Sequence, residues 1–160
     1  MLAKDIMRTE VLCVSANAKV REALEIMVKK SISGLPVLNE RGNLVGIISE
    51  SDIIHREVLF DKFEHWILLE SFLHRSKASK SLDDHNYSDD LDYYLEHKVE
   101  DVMTVKIISA LPDTPVEDIA KLMVERKVNR IPIVKGEKVV GIITRGDILQ
   151  ALKHFSTYTK

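Results

Sequence analysis

One feature constrains this chain more than any other: it contains the same segment twice. At an offset of 96 residues, Asp5-Ile6-Met7 falls on Asp101-Val102-Met103. Val20 falls on Val116, Met27-Val28 on Met123-Val124, and Pro36 on Pro132. One residue is lost where NERGN meets KGEK. At an offset of 95, Val45-Gly46-Ile47-Ile48 then meets Val140-Gly141-Ile142-Ile143, and Asp52-Ile53 meets Asp147-Ile148. The gap sits in a turn, where changes of length are tolerated. A fixed internal period of this kind means that one supersecondary unit is built twice. The division is residues 1–56, a middle segment 57–97, and residues 98–160.

Each copy reads as strand, helix, strand, strand, helix. The apolar runs VLCV and KIIS predict the first strand. Val20, Ala23, Leu24, Met27 and Val28 recur at helical spacing, as do Val116, Ile119, Ala120, Met123 and Val124. Thr114 is the expected N-cap of the second of these helices, with Pro115 in its first turn. LPVL and LVGIIS, like IPIV and KVVGIIT, predict hairpins. A further helix is expected from Ser51 and from Gly146. One copy alone is too small to bury much core, so the two are expected to pack together.

The middle segment belongs to neither copy. Phe60, Phe63, Trp66, Ile67 and Leu73 recur at three- and four-residue steps and predict a helix, widened by Val58, Leu59, Leu68, Leu69 and Phe72. Two coverings of that face stay open: the chain's own core, or a dimer or effector surface. The stretch RSKASKSLDDHNYSDD reads as a polar loop. Asp83, Asp84, His85 and Asp89 within it allow a metal reading, but a solvated charge run is the commoner origin of such a cluster. No metal site is expected.

Composition limits the function. The formal net charge of −2 gives no bias toward nucleic acid or an anionic membrane. Lys4, Asp5, Arg8 and Glu10 interrupt the first ten residues, and no apolar run approaches a membrane span, so neither a secretory leader nor a membrane partner is expected. A cytoplasmic location is the default. The single cysteine, Cys13, excludes an internal disulfide and reads as an inert thiol in an apolar run. The six histidines are scattered, and no Ser-His-Asp order, HExxH or CxxC occurs, so the chain is not expected to be an enzyme.

The chemistry concentrates in two heptads, GIISESD (Gly46–Asp52) and GIITRGD (Gly141–Asp147). Each ends a predicted strand in a hydroxyl and begins a helix with Asp in its first turn. A helix N-terminus favours an anion. A carboxylate there can accept two hydrogen bonds from a vicinal diol. Hydroxyl and helix end for phosphate, carboxylate for sugar, describe a nucleotide site without GxxxxGK[ST] or GxGxxG. The competing reading is that Ser49/Asp52 and Thr144/Asp147 only cap helices.

The doubled order "DIM … LPVL … GIISESD" and "DVM … IPIV … GIITRGD" resembles a pair of cystathionine-β-synthase (CBS) domains, a Bateman module. The resemblance covers both copies. It implies an α/β (α+β) fold of two β-α-β-β-α units, packed through their sheets with pseudo-twofold symmetry, and two clefts between them. It implies a regulatory adenosyl ligand, AMP, ADP, ATP or S-adenosylmethionine, rather than a resident cofactor, and assembly as a homodimer. It places hydroxyl and ribose-binding Asp at Thr144 and Asp147 in one cleft and at Ser49 and Asp52 in the other, with apolar contact from Ile142 and Ile47. The partner repeat is expected to wall the base: Leu12, Ile32 and Ser33 near Asp147, and Ile108, Val128 and Asn129 near Asp52. Arg130 matches a phosphate-binding position, or is a surface cation. The first copy has Gly34 there. Arg145 adds charge on the second side, where the first has Glu50, so the Asp147 cleft is expected to be the better site. On this reading Asp147→Ala weakens ribose-containing ligands and leaves the fold intact.

The expected function is a ligand-sensing module that signals by a change of shape to a separate effector chain. The alternative is a dimeric interaction scaffold with unoccupied clefts.

Overall fold

The computed structural model describes residues 1–54 and 92–157, with side chains of the last helix to Lys153. The helix expected around Trp66 and the cluster Asp83, Asp84, His85 and Asp89 lie outside the described residues. The fold mixes helices with small sheets. In chain order the elements are α1 (Ala3–Ile6), β1 (Val14–Ser15), α2 (Val20–Lys30), β2 (Gly34–Leu38), β3 (Leu44–Ser49), α3 (Glu50–Ile54), α4 (Val99–Val102), α5 (Val116–Glu125), β4 (Arg130–Lys135), β5 (Lys138–Thr144) and α6 (Arg145–Thr157).

The chain forms two compact units, and their division differs from that of the repeat. One holds Met1–Leu12, Arg41–Leu44 and residues 106–157. The other holds Cys13–Glu40 with residues 45–54 and 92–105. Each copy therefore gives its leading segment to the unit built by the other. The hydrogen bonds that do this are the same on both sides. The Ala3 N–H donates to the Thr114 carbonyl at 2.8 Å, and the Val99 N–H to the Ala18 carbonyl at 2.8 Å. The Lys4 N–H donates to Pro112 and the Glu100 N–H to Ala16. The Val116 N–H donates to Met1 and the Val20 N–H to His97. Ala3 is fully buried among Ile119, Met123 and Ile131, and Val99 among Val20, Ala23 and Leu35.

The unit of the first copy carries a three-stranded sheet in the order β1-β2-β3, with β1 parallel to β2 through Val14↔Val37 and Ser15↔Leu38. The expected strand VLCV is thus reduced to its last residue and Ser15. The unit of the second copy carries the antiparallel pair β4–β5, from Arg130↔Thr144 to Lys135↔Lys138. KIIS forms no strand. Only the next residue, Ala110, bridges Ile133 in parallel, its N–H donating to Pro132 and its carbonyl accepting from Val134.

Helix α2 buries Val20, Ala23, Leu24 and Met27, as its spacing predicts. Val28 and its counterpart Val124 fall outside that face, 38% and 72% exposed. Thr114 does not cap α5. Pro115, extended at ψ 137°, occupies the N-cap, and the Thr114 hydroxyl accepts the Leu111 N–H at 3.0 Å. Helices α3 and α6 start at Glu50 and Arg145, one residue before the expected positions.

Cys13 is half-buried, and burial pushes its thiol above the ordinary range. The thiolate is the reactive form. Cys13 is therefore expected to react slowly with a disulfide reagent at neutral pH in the folded chain and quickly in urea. Equal rates in both would contradict this placement.

Candidate functional site

The second heptad is built where β5 runs into α6. The Asp147 carboxylate turns back to the strand end. Its Oδ2 accepts the Thr144 hydroxyl at 2.6 Å and the Thr144 N–H at 2.8 Å. The Asp147 N–H reaches the Thr144 Oγ1 at 3.4 Å. This reciprocal pattern caps the helix start. Its other oxygen, Oδ1, accepts Arg8 through Nε at 2.8 Å and Nη2 at 2.7 Å. Asp147 is 6% exposed, while the Arg8 side chain is 61% exposed. Burial pushes the Asp147 carboxyl up. The Thr144 hydroxyl and N–H and the Arg8 guanidinium outweigh it and hold the group below the usual carboxylate range.

Arg8 is fixed by its backbone. Arg8 and Ile142 exchange two N–H···O=C bonds, both 3.0 Å. The preceding Met7 lies over Gly141, with its thioether sulfur too close to leave room for a Cβ on that glycine. This explains the leading motif. Asp5 accepts the Leu2 N–H at 2.8 Å and starts the short helix α1, Ile6 packs on the core, and Met7 covers the heptad glycine.

The first heptad repeats the arrangement with different chemistry. Asp52 Oδ2 accepts the Ser49 N–H at 2.7 Å and the Ser49 hydroxyl at 2.6 Å. Its Oδ1 accepts the Thr104 hydroxyl at 2.7 Å. Thr104 and Ile47 exchange backbone bonds of 2.9 and 3.0 Å, and Met103 covers Gly46. Tyr94, buried, donates its hydroxyl to the Asp52 carbonyl at 3.2 Å. Arg8 and Thr104 stand at the same offset of 96 that relates the repeats. They are the residues that sequence reasoning missed. The available signal was their position, directly after DIM and DVM.

Ile32, Ser33, Ile108, Val128 and Asn129 are placed with the heptads of their own copies. The Ser33 carbonyl accepts the Glu50 N–H, and the Asn129 carbonyl accepts the Arg145 N–H, both at 3.1 Å. Ile32 packs on the core of the Asp52 unit, and Ile108 and Val128 on that of the Asp147 unit. Leu12, 44% exposed, lies in the same compact unit as Asp147. The physical reason is hairpin register: the residue before β4 opposes the residue after β5, and likewise before β2 and after β3. Ile142 and Ile47 are half-buried, as is Arg130, while Arg145 and Glu50 are exposed. Among the described residues, no group of three His, Cys, Asp or Glu side chains is placed to hold a metal ion. Among them, too, no helix is long and apolar enough to cross a membrane.

The sequence profile of the CBS domain matches twice, at residues 3–58 and 99–154. The chain belongs to the CBS-domain family. It is a tandem CBS pair. The uncharacterized protein MJ1426 of Methanocaldococcus jannaschii is 41% identical over 154 residues, covering 95% of this chain and 91% of that protein. Other relatives are longer: the chain spans 57% of the chloroplastic CBS domain-containing protein CBSX2 of Arabidopsis thaliana and 24% of an inosine-5′-monophosphate dehydrogenase of M. jannaschii. Among solved structures, CBSX2 in complex with AMP matches with TM-score 0.69 at 26% identity, covering 97% of this chain and 98% of that one. The CBS domain pair of protein MJ0100, in complex with 5′-methylthioadenosine and S-adenosyl-L-methionine, matches with TM-score 0.66 at 26% identity, covering 96% and 97%. In this CBS pair each domain presents its heptad carboxylate to the leading segment of the other.

Proposed function

We propose that this CBS pair is a regulatory module that binds an adenosyl ligand at its heptads and reports occupancy through its conformation. One observation carries the reading: each repeat holds a hydroxyl and a carboxylate together at a helix start, in a chain similar to CBS pairs crystallised with AMP, 5′-methylthioadenosine and S-adenosyl-L-methionine. In this reading Asp147 and Asp52 accept the ribose diol. Thr144 and Ser49, with the N–H groups that follow them, face the phosphate or its replacement. Arg130 and Arg145 add positive charge on the Asp147 side. The ligand is a signal rather than a cofactor, and the chain is not an enzyme. Signalling follows from differential affinity for two conformations.

The reading includes a homodimer and a separate effector chain. Leu149 and Leu152, one turn apart on α6, are 66% and 58% exposed and offer an apolar face for such an assembly. A second reading, an interaction scaffold, is favoured by a different observation. Both carboxylates already find partners within the chain, so capping accounts for the heptads without a ligand.

A thermal-unfolding panel separates the two. AMP, ADP, ATP, S-adenosylmethionine, NAD and GTP would each be added in large excess. A ligand at a hundred times its dissociation constant stabilises the fold by about 2.7 kcal/mol. A shift of several degrees with an adenosyl compound and none with GTP is expected. No shift with any of them would favour the scaffold.

A further inference from the structure

We propose that Arg8 is an exchangeable counter-ion of Asp147: the ribose diol takes over the Oδ1 oxygen, and the released guanidinium binds the ligand's phosphate. The inference rests on the functional reading above and deepens it, because it assigns the Asp147 site to phosphorylated adenosyl ligands.

A carboxylate accepts about four hydrogen bonds. Among the described residues, Asp147 already accepts the Thr144 N–H, the Thr144 hydroxyl, and Nε and Nη2 of Arg8. A vicinal diol brings two more donors, so something must leave. The Thr144 N–H is part of the strand-to-helix junction and cannot leave without unwinding it. Its hydroxyl is held within the same turn. The Arg8 guanidinium is on a long side chain that is 61% exposed, so water receives it at little cost. Arg8 supplies two donors to Oδ1, and the diol replaces two donors with two.

The released group does not go far. The Arg8 backbone stays paired with Ile142, and Met7 stays over Gly141. The guanidinium is thus tethered beside the oxygen it has left. Its planar fork matches a phosphate, which it can bind through two N–H groups. A ligand with diol and phosphate satisfies both halves of the broken pair. A ligand with the diol alone breaks the pair and leaves the cation to water.

The first repeat supplies an internal contrast. Its equivalent of Arg8 is Thr104, which is neutral, and Glu50 stands where the second repeat has Arg145. Displacing a hydroxyl from Asp52 frees no cation. The Asp52 site therefore gains no released cation for a phosphate.

The test is calorimetric titration of AMP and adenosine into the unmodified full chain and into three variants of it, with native Arg8, with Arg8→Thr and with Arg8→Lys. To isolate the site, all three carry Asp52→Ala, and far-UV circular dichroism checks that each is folded. The Asp52→Ala parent is expected to prefer AMP. In Arg8→Thr, AMP is expected to weaken by about tenfold or more, the size of one hydrogen bond to a charged group, while adenosine holds or tightens. Arg8→Lys keeps the charge and is expected to retain more of the AMP preference than Arg8→Thr. Equal losses for both ligands in both variants would make Arg8 a structural residue and overturn the inference, as would an unchanged AMP-to-adenosine ratio. If the unmodified chain binds neither ligand, the functional reading fails and this inference falls with it.

Discussion

Asp147→Ala is expected to remove adenosyl binding at the second heptad and also to lower the melting temperature of the unliganded chain. The side chain that would hold ribose is the one that caps α6 and pairs with Arg8. Its loss leaves the Thr144 N–H and hydroxyl without their acceptor in a half-buried position. A cost of about 1–3 kcal/mol follows for such a cap and its charge-assisted bonds. For a chain of this size each kcal/mol lowers the melting temperature by about 2–4 °C. The fold itself is expected to stay intact, as the sequence reading has it, at a lower stability. Asp52→Ala is expected to cost less, because its third partner is the neutral Thr104 hydroxyl.

The stabilisation carries a pH signature. The Asp147 carboxyl is held below its ordinary value, about 3.9 in an unfolded chain. Its contribution is therefore fully present above that value and is lost as the pH falls through the lower value of the folded state. The gap in melting temperature between wild type and Asp147→Ala should be constant near neutrality and close only in acid. A gap that closes between pH 6 and 8 would mean that another group is responsible.

Gly141→Ala is expected to destabilise the chain by about 1–3 kcal/mol, the usual range for an overpacked site. A Cβ at Gly141 would meet the Met7 sulfur, and would lie 2.8 Å from its Cγ and 3.0 Å from its Cβ. A sulfur can swing aside, but a Cβ moves only with its backbone. Met7 adjoins Arg8, which is paired with Ile142 on the same strand as Gly141. Relief therefore requires the leading segment to lift, which draws Arg8 from Asp147. Gly46→Ala is the milder change, because the close atoms of Met103 are its sulfur and Cγ, with Cε at 3.2 Å, all beyond its Cβ. Chemical unfolding of the two variants should rank Gly141→Ala below Gly46→Ala. Adding Met7→Ala should recover part of the loss in Gly141→Ala. A reversed rank, or no recovery, would contradict the packing described.

The sequence was most readable where its signals are local. Helical spacing located the buried faces of α2 and α5, and the β-branched runs located both hairpins, because these patterns depend on near neighbours. Val28 and Val124 show the limit of spacing alone: they continue the apolar series but lie past the edge of the buried face. VLCV and KIIS show another. An apolar run reads as a strand, but only Val14, Ser15 and Ala110 find a partner edge.

The exchange of leading segments could not be read at all. Ala3 and Val99 are equivalent residues entering equivalent cores, so the pattern fits either unit equally well. Arg8 and Thr104 owe their place at the heptads to that exchange, so they too were invisible. The placement of Ser33 and Asn129 was different. The register of each hairpin sets it, and counting back from Thr144 to Arg130 would have shown that Asn129 opposes Arg145.

The most direct test of the central claim is to titrate AMP and its 2′,3′-dideoxy analogue into the wild-type chain by calorimetry. The two ligands share base and phosphate and differ only in the diol. If the heptad carboxylates hold the ribose, the dideoxy analogue binds at least about tenfold more weakly, the loss expected for hydrogen bonds to a charged acceptor. Equal affinity for the two would contradict the account.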